Sequence, residues 1–208
     1  MMNLYIDTSS SYLYTAIVND NELICEIKKE FGQELSKEAL PHIASMFEQK
    51  NIKPKDIKKI IIVNGPGSFT GIRIGLTIAK VYAWSLNIPI ITVNTLDVMS
   101  LSSKKDTYHV PLIDARRGFV FGAVYNSKQE IILKPQHIKL DVLKEKLETL
   151  DNYSIITNDE TLELENTEKY DPDILKIVNH LKNRPEINPH AVNPEYLKLT
   201  EAEENLNK

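Results

Sequence analysis

The chain has 208 residues, of which 42% are hydrophobic and 26% charged, so it is long enough for one large domain or two small ones and too apolar for a disordered chain. Its formal net charge of −4 argues against a protein that binds nucleic acid through an overall basic excess, although it allows a local basic patch. The single cysteine, Cys25, excludes an internal disulfide and a cysteine-rich zinc site, and we interpret it as a small core or surface residue rather than a nucleophile.

The first half of the chain opens with strand-like patterns and then changes to a helical period. Residues 3–31 alternate well enough for an antiparallel meander, whereas the β-branched run 59–63 is typical of a strand buried on both faces of a parallel sheet. The apolar spacing predicts strands over 3–6, 12–18, 22–31, 59–63 and 90–93, and helices over 34–50, 71–86 and 95–102.

The second half repeats this order of strands, helix and strand without sequence identity to the first. The polar stretch 102–106 is the best boundary between the halves. The pattern predicts strands over 108–113, 119–125, 131–138 and 153–157, and helices over 140–150 and 173–181. Two halves with one layout predict a duplicated α/β fold, and the acidic residues 201–204 predict a solvated helix end or a frayed terminus.

The most informative motif is the glycine loop, which we define as Gly65-Pro66-Gly67-Ser68-Phe69-Thr70-Gly71. A buried strand precedes it and a helix follows it, so its backbone N–H groups lie at a helix N-terminus, where the helix dipole favours anions. Ser68 or Thr70 could cap that helix or offer a hydroxyl to a phosphate. A purely structural turn is the alternative, and the loop matches neither Walker A nor GxGxxG spacing.

The turn Asp7-Thr8-Ser9 follows the first strand. An acid followed by hydroxyls at this place can hold a metal-bound phosphate, as in sugar-kinase and actin-like folds, but the same residues also make ordinary turns. If the first strand and the 59–63 strand are neighbours, Asp7 and the glycine loop should open onto one crevice.

The segment Asp114-Ala115-Arg116-Arg117-Gly118 is a third candidate. Arg116 and Arg117 could pair with phosphates or with the carboxylates of a partner, and a solvated hairpin with an Asp–Arg pair is the alternative. The five histidines show no metal-binding spacing, and no serine lies in a GxSxG elbow, so we predict no catalytic residue and no metal site. No apolar stretch approaches the roughly 20 residues that cross a bilayer, and the start lacks a signal-peptide pattern; we expect a soluble, cytoplasmic protein.

Four segments together resemble the bacterial TsaB (YeaZ) family. The start of the chain, residues 4–9, resembles the family's "ILAIDTS", and residues 65–75 match its "GPGSFTGLRVG" signature almost letter for letter. Residues 112–118 match "aIDARRGevY", and residues 193–197 resemble a terminal "PxYLR" element. These matches run in order from residue 4 to residue 197, so the resemblance covers nearly the whole chain.

The resemblance implies a duplicated actin-like ATPase (RNase H-like) fold, with lobes over residues 1–103 and 104–208. It implies a non-catalytic subunit that binds and stabilises its paralogue TsaD, works with the ATPase TsaE, and meets tRNA through the complex. That complex transfers a threonylcarbamoyl group to the adenosine beside the anticodon of tRNAs that read ANN codons. ATP or ADP would be held by the assembled complex rather than clearly by this chain, whose own phosphate site would be degenerate.

The family docks its paralogue, or a second copy of itself when alone, through helices of the first half. Mapped onto this chain, the candidate partner residues are Leu40, Ile43, Phe47, Ile74, Ile78 and Tyr82, and Arg73 joins Arg116 and Arg117 as a candidate anion or partner contact. The chain departs from the family's "HSExLLP" at Leu35 and Lys37, which replace a histidine and a glutamate. Two other functions remain as hypotheses. One is an autonomous ATP-dependent kinase or ATPase that uses Asp7 and the glycine loop. The other is a peptidase, for which the sequence offers no nucleophile–base pair.

Overall fold

The computed structural model describes residues 1–162 and 164–198, so the acidic residues 201–204 lie outside the described part. The chain divides into two units. The first consists of Met1–Val98 and Pro172–Glu195, and the second consists of Met99–Asp171 with the described residues from Tyr196 onward. This division differs from the predicted lobes 1–103 and 104–208 because residues 172–195 return to the first unit.

The first unit contains a five-stranded sheet. Its strands are β1 (Met2–Asp7), β2 (Tyr12–Asn19), β3 (Glu22–Glu30), β4 (Lys59–Val63) and β5 (Ile90–Val93), in the order β3-β2-β1-β4-β5. β1, β2 and β3 form the predicted antiparallel meander, whereas β1, β4 and β5 pair in parallel. All five residues of β4 are buried, as its β-branched run predicts.

Helices cover this sheet. They are α1 (Leu35–Gln49) and α2 (Phe69–Leu86), followed by α3 (Thr95–Ser102), which begins in the first unit. The apolar stripes of α1 and α2 meet the isoleucines of β1 and β4 in the main hydrophobic core. α2 begins two residues earlier than the sequence predicts, because Ser68 caps it.

The second unit repeats the same sheet topology. Its strands are β6 (Tyr108–Asp114), β7 (Phe119–Tyr125), β8 (Ile131–Lys139), β9 (Tyr153–Ile156) and β10 (Thr167–Glu168), in the order β10-β9-β6-β7-β8. Here too the first three strands of the unit, β6, β7 and β8, pair antiparallel. β9 pairs in parallel with β6 and with β10. Helix α4 (Leu140–Leu147) packs on one face, and β10 escapes sequence analysis because two residues carry no period.

The last helix, α5 (Ile174–Leu181), belongs to the first unit and contacts β2. Beyond it, Ile187 forms an antiparallel bridge with Ile90. Val192 is 2% exposed and packs in the main hydrophobic core. These contacts explain why the chain returns after β10. Within the described residues, none of the helices combines the length and apolar character that spanning a membrane requires.

Candidate functional site

The Asp7-Thr8-Ser9 turn is buried at the end of β1, with exposures of 1%, 0% and 5% in that order. The Asp7 carboxylate oxygen Oδ1 accepts a hydrogen bond of 2.8 Å from the Ser9 N–H and another of 2.7 Å from the Ser9 hydroxyl. This is the hydrogen-bonding pattern of an Asx turn. One oxygen of the predicted phosphate-site acid is thus engaged inside its own turn.

The glycine loop rests directly on that turn. The Ser68 N–H donates to the Ser9 carbonyl oxygen at 2.7 Å, and the Thr8 hydroxyl donates to the Gly71 carbonyl oxygen at 2.7 Å. A β-carbon at Gly71 would lie 2.0 Å from the Thr8 carbonyl oxygen, and one at Gly67, whose φ is +151°, would lie 2.2 Å from that of Ser9. The glycines therefore allow contact between two segments of this protein.

This arrangement confirms one part of the expectation and corrects another. β1 and β4 are parallel neighbours, so Asp7 and the glycine loop do lie together. They do not open onto one crevice, because turn and loop are in contact and Asp7 is buried in the turn. A phosphate group does not fit between Thr8 or Ser9 and the glycine loop.

Ser68 has a structural role that the sequence left undecided. Its hydroxyl oxygen accepts a hydrogen bond of 3.1 Å from the Gly71 N–H, which makes Ser68 the N-cap of α2. The open side of the loop is a cleft of about 380 Å³ between the first turns of α1 and α2. Its lining includes the hydroxyl residues Ser10, Ser11, Ser36, Ser68 and Thr70.

The C-terminal segment lies against the other side of the glycine loop. The Glu195 N–H donates to the Asn64 carbonyl oxygen at 2.8 Å, and the Asn64 side-chain amide donates to the Asn193 carbonyl oxygen at 3.2 Å. Gly65, with φ +118°, allows this approach, because a β-carbon there would lie 2.6 Å from the Glu195 carbonyl oxygen. Only the match to the family's terminal element pointed to this segment in the sequence.

Burial raises the pKa of the Glu195 carboxyl above its ordinary value of 4.5. A side-chain contact with Asn94 and the charge of Arg184 offset part of this rise, whereas the charge of Asp97 adds to it. Arg184 pairs with Asp97 at 2.9 Å, so the acid and the base that influence Glu195 also bind each other.

The predicted partner residues fall into two groups. Ile43 and Phe47 are 2% and 6% exposed and pack in the main core, so their assignment to a partner surface is wrong: the stripe that they form on α1 faces the sheet. Leu40, by contrast, is 57% exposed. Ile74, Ile78 and Tyr82 are half-buried on α2.

Two exposed residues of α2 were missed. Val81 is 59% exposed and Trp84 is 64% exposed. The signal in the sequence is the all-round apolar character of α2, which leaves apolar side chains outside once one stripe faces the sheet. Arg73 extends over the Phe69 ring, with 3.8 Å between the guanidinium carbon and the ring centroid.

Arg116 and Arg117 occupy the tip of the β6–β7 hairpin and are both exposed. Their φ angles of +65° and +53° are left-handed, a backbone conformation that residues other than glycine, asparagine and aspartate rarely adopt. The Asp114 carboxylate accepts a hydrogen bond of 2.8 Å from the Arg116 backbone N–H. Asp114 therefore stabilises the turn through the backbone.

A buried serine–histidine contact also escaped the sequence analysis. The Ser100 hydroxyl lies 3.3 Å from His109 Nδ1, and the side chains are 0% and 3% exposed. The second nitrogen, Nε2, lies 2.9 Å from the Lys105 carbonyl oxygen. The pair therefore holds α3 and β6 together, out of reach of a substrate. Over residues 1–162 and 164–198, no three His, Cys, Asp or Glu side chains are grouped to hold a metal ion.

Comparison with known proteins decides the family. A family model described as "TsaD: tRNA N6-adenosine threonylcarbamoyltransferase" matches residues 29–154. The "tRNA threonylcarbamoyladenosine biosynthesis protein TsaB" of Bacillus subtilis (strain 168) is 31% identical, over 98% of this chain and 96% of that protein. This chain belongs to the TsaB family. The Escherichia coli (strain K12) protein of the same name is 30% identical, over 65% of the chain and 64% of its own length.

Solved structures support the same fold for this TsaB-family chain. "YeaZ from Pseudomonas aeruginosa" has a TM-score of 0.77 at 18% identity and covers 94% of this chain and 99% of its own. A second Pseudomonas aeruginosa structure, described as similar to peptidase YEAZ, has a TM-score of 0.78 at 15% identity. With the repeated sheet topology, this likeness confirms the duplicated actin-like α/β fold.

The two departures from the TsaB-family motif have ordinary structural roles here. Leu35 is 4% exposed and packs with Leu13 and Ala39 under the first turn of α1. Lys37 pairs with Glu34 at 2.7 Å on the exposed face of the same turn. Leu35 is therefore a core residue, and the Lys37–Glu34 pair is a surface interaction of small energetic weight.

Proposed function

We propose that this chain is a non-catalytic partner subunit in the biosynthesis of threonylcarbamoyladenosine in tRNA. In this role it binds and stabilises the paralogue TsaD and works with TsaE, and the complex modifies the adenosine beside the anticodon of tRNAs that read ANN codons. The names of the Bacillus subtilis and Escherichia coli relatives support the pathway. The match of residues 29–154 to a family model named for the transferase supports a paralogous relationship.

The observation that carries the non-catalytic assignment is the contact between the Asp7–Ser9 turn and the glycine loop. The Ser68 N–H and the Thr8 hydroxyl, which a phosphate would need, donate to carbonyl oxygens of the protein instead. Rearranging this contact would break buried hydrogen bonds and expose a turn that is now sealed. We therefore assign the chemistry, together with ATP or ADP, to the assembled complex in the cytoplasm.

The outer side of α1 and α2 offers a surface for the partner. We define the docking face as Leu40, Ile74, Ile78, Val81 and Tyr82. Leu40 on α1 and Val81 on α2 are more than half exposed, and Ile74, Ile78 and Tyr82 are half-buried on α2. Apolar residues grouped on a surface in this way are typical of a protein–protein contact.

Purified TsaD and this chain should elute together as a stable heterodimer in gel filtration with light scattering. Val81→Glu places a charge on the docking face without touching the core, so we expect it to weaken pairing by about 10-fold or more while the unfolding temperature stays near that of the wild type. Val142→Glu is the matched control, because Val142 is 39% exposed on α4 in the second unit. Separate elution of the wild-type proteins would contradict the proposal.

The same two variants can be compared in cells depleted of the wild-type protein, with mass spectrometry of tRNA nucleosides as the readout. Val142→Glu should restore threonylcarbamoyladenosine, and Val81→Glu should restore less. Normal levels of this nucleoside after depletion would refute the assignment to the pathway. Tight binding of Mg-ATP by the isolated chain, lost in Asp7→Asn, would instead favour the autonomous kinase or ATPase.

A further inference from the structure

Three aromatic rings form a ladder on one face of the β7–β8 hairpin. The rings of Phe119 and His137 are stacked, with centroids 4.6 Å apart and an angle of 11° between their planes. The ring centroids of Phe121 and His137 are 5.5 Å apart, with an angle of 48° between the ring planes. The strand register explains the ladder, because Phe121 is paired with His137 and Phe119 with Lys139. All three residues are partly exposed, although the Nε2 atom of His137 is itself buried.

The ladder faces away from the hydrophobic core of the second unit. Val120 and Ile138 alternate with the ladder residues, and they pack with Leu143 and Leu147 of α4 on the opposite face. The rings therefore contribute little to that core. A packing role within the unit does not account for three rings in a row on this face.

Three positively charged residues flank Phe119 in the hairpin. Arg116 and Arg117 form the tip of the hairpin that leads into Phe119, and the Lys139 ammonium group lies 6.0 Å from the Phe119 ring centroid. All three residues are exposed. Asp114, the nearest acid in the sequence, directs its carboxylate to the Arg116 backbone N–H.

The backbone of the tip follows from the hairpin turn. Arg116, Arg117 and Gly118 have consecutive left-handed φ angles of +65°, +53° and +75°, and the Phe119 N–H closes the turn by donating to the Arg116 carbonyl oxygen at 3.0 Å. This turn keeps both arginines within three residues of Phe119.

We propose that this face, made of Phe119, Phe121 and His137 with Arg116, Arg117 and Lys139, binds unpaired nucleotides of an RNA strand. Bases stack on the exposed parts of the rings, and the phosphates pair with the three cations. Aromatic platforms with basic borders recognise single strands in this way, because every base has a flat face and every linkage a negative charge.

This binding site lies outside the docking face and is a property of the chain itself. It does not require the proposed subunit role, although it would supply that role with a direct contact to tRNA. The two can fail separately, because RNA binding is measured on the isolated chain and partner binding by co-elution.

The test uses the isolated full chain and a fluorescent single-stranded RNA of mixed sequence, titrated by anisotropy over a range of salt concentrations. Phe121→Leu keeps an apolar side chain but removes the ring, and it should weaken binding by about 5- to 100-fold. Arg117→Gly removes a charge and relieves the left-handed strain, so the fold is retained. It should lower the slope of log K against log salt by about 0.7.

Lys146→Gln is the matched control, because Lys146 is an exposed cation on α4, on the opposite face of the same sheet. We expect it to leave binding within about 2-fold of the wild type. A duplex RNA should bind more weakly than the single strand, because its bases are not free to stack. The proposal is overturned if the wild-type chain does not bind at low salt, if Phe121→Leu and Arg117→Gly bind like Lys146→Gln, or if Phe121→Leu abolishes co-elution with TsaD instead of RNA binding.

Discussion

At the scale of single residues, the glycines of the loop explain why Asp7, Thr8 and Ser9 are buried. Gly71 lets α2 begin directly over the Thr8 carbonyl, where any side chain would collide with backbone. The Thr8 hydroxyl then satisfies the Gly71 carbonyl oxygen. A motif that could have served anion binding is thus used here to seal β1 against α2.

Gly71→Ala should therefore be strongly destabilising. Its β-carbon would lie 2.0 Å from the Thr8 carbonyl oxygen, and relieving that overlap requires α2 to move away from β1. We expect a loss of about 3 kcal/mol or more in the free energy of unfolding, measured with denaturant. Gly32→Ala is the control: Gly32 has φ +53° but nothing within 4 Å of its β-carbon, so the loss should be about 1 kcal/mol. Equal losses would show that overlap with Thr8 is not what constrains Gly71.

At the scale of elements, α1 shows how one apolar pattern divides between the core and the surface. The spacing of Leu40, Ile43 and Phe47 predicts a single apolar stripe, and the sequence does not say which part of it meets the sheet. In the structure Ile43 and Phe47 are core residues, whereas Leu40 is 57% exposed. The apolar surface of α1 is thus wider than the part of it that the core buries.

Alanine substitutions at Ile43 and Leu40 should separate these two roles. Ile43→Ala leaves a cavity in the main core, so we expect it to lower the free energy of unfolding by about 2–5 kcal/mol. Leu40→Ala should change that free energy by less than about 0.5 kcal/mol and should instead weaken co-elution with TsaD. The measurements are denaturant unfolding and gel filtration. A large loss of stability from Leu40→Ala would place Leu40 in the core and remove it from the docking face.

At the scale of the whole molecule, the return of residues 172–195 to the first unit decides the environment of the glycine loop. Val192 joins the core, its carbonyl oxygen accepts a hydrogen bond of 2.9 Å from Lys80 Nζ, and Glu195 pairs through its backbone with Asn64. The loop is therefore held from both sides, by the Asp7–Ser9 turn and by this segment. Half-burial of the Glu195 carboxyl is a consequence of that attachment.

The raised pKa of Glu195 makes the attachment pH-dependent. The folded state binds the proton of this carboxyl more tightly than the unfolded state does, so its protonated form favours folding. This contribution is complete below the ordinary value of 4.5 and is lost as the pH rises through the raised pKa. Glu195→Gln should therefore raise the unfolding temperature by about 1–2 °C at pH 7 and by nothing measurable at pH 4. A lower unfolding temperature of Glu195→Gln at pH 7 would mean that Arg184 holds the carboxylate favourably.

Much of the fold could be predicted from local pattern. In the described residues, all five strands of the first sheet, four of the five strands of the second sheet and the five α-helices lie where apolar spacing predicts them. Strand and helix periods are local properties of the chain. The two-residue strand β10 is the exception, since it exists only through its pairing with β9. Of the candidate site, the sequence predicted that Asp7 and the glycine loop lie together, but not that they close on each other.

By itself, then, the sequence determined the order of elements, the duplicated layout and, through the glycine loop and its companion segments, the family. Only the tertiary structure decided which side of α1 is buried, that the Thr8 and Ser68 donors bind protein carbonyl oxygens, that residues 172–195 return to the first unit, and that Phe119, Phe121 and His137 form a row. The physical reason is distance along the chain. Periodicity records what neighbours in sequence share, whereas these contacts join residues tens of positions apart, and they depend on strand register and on packing.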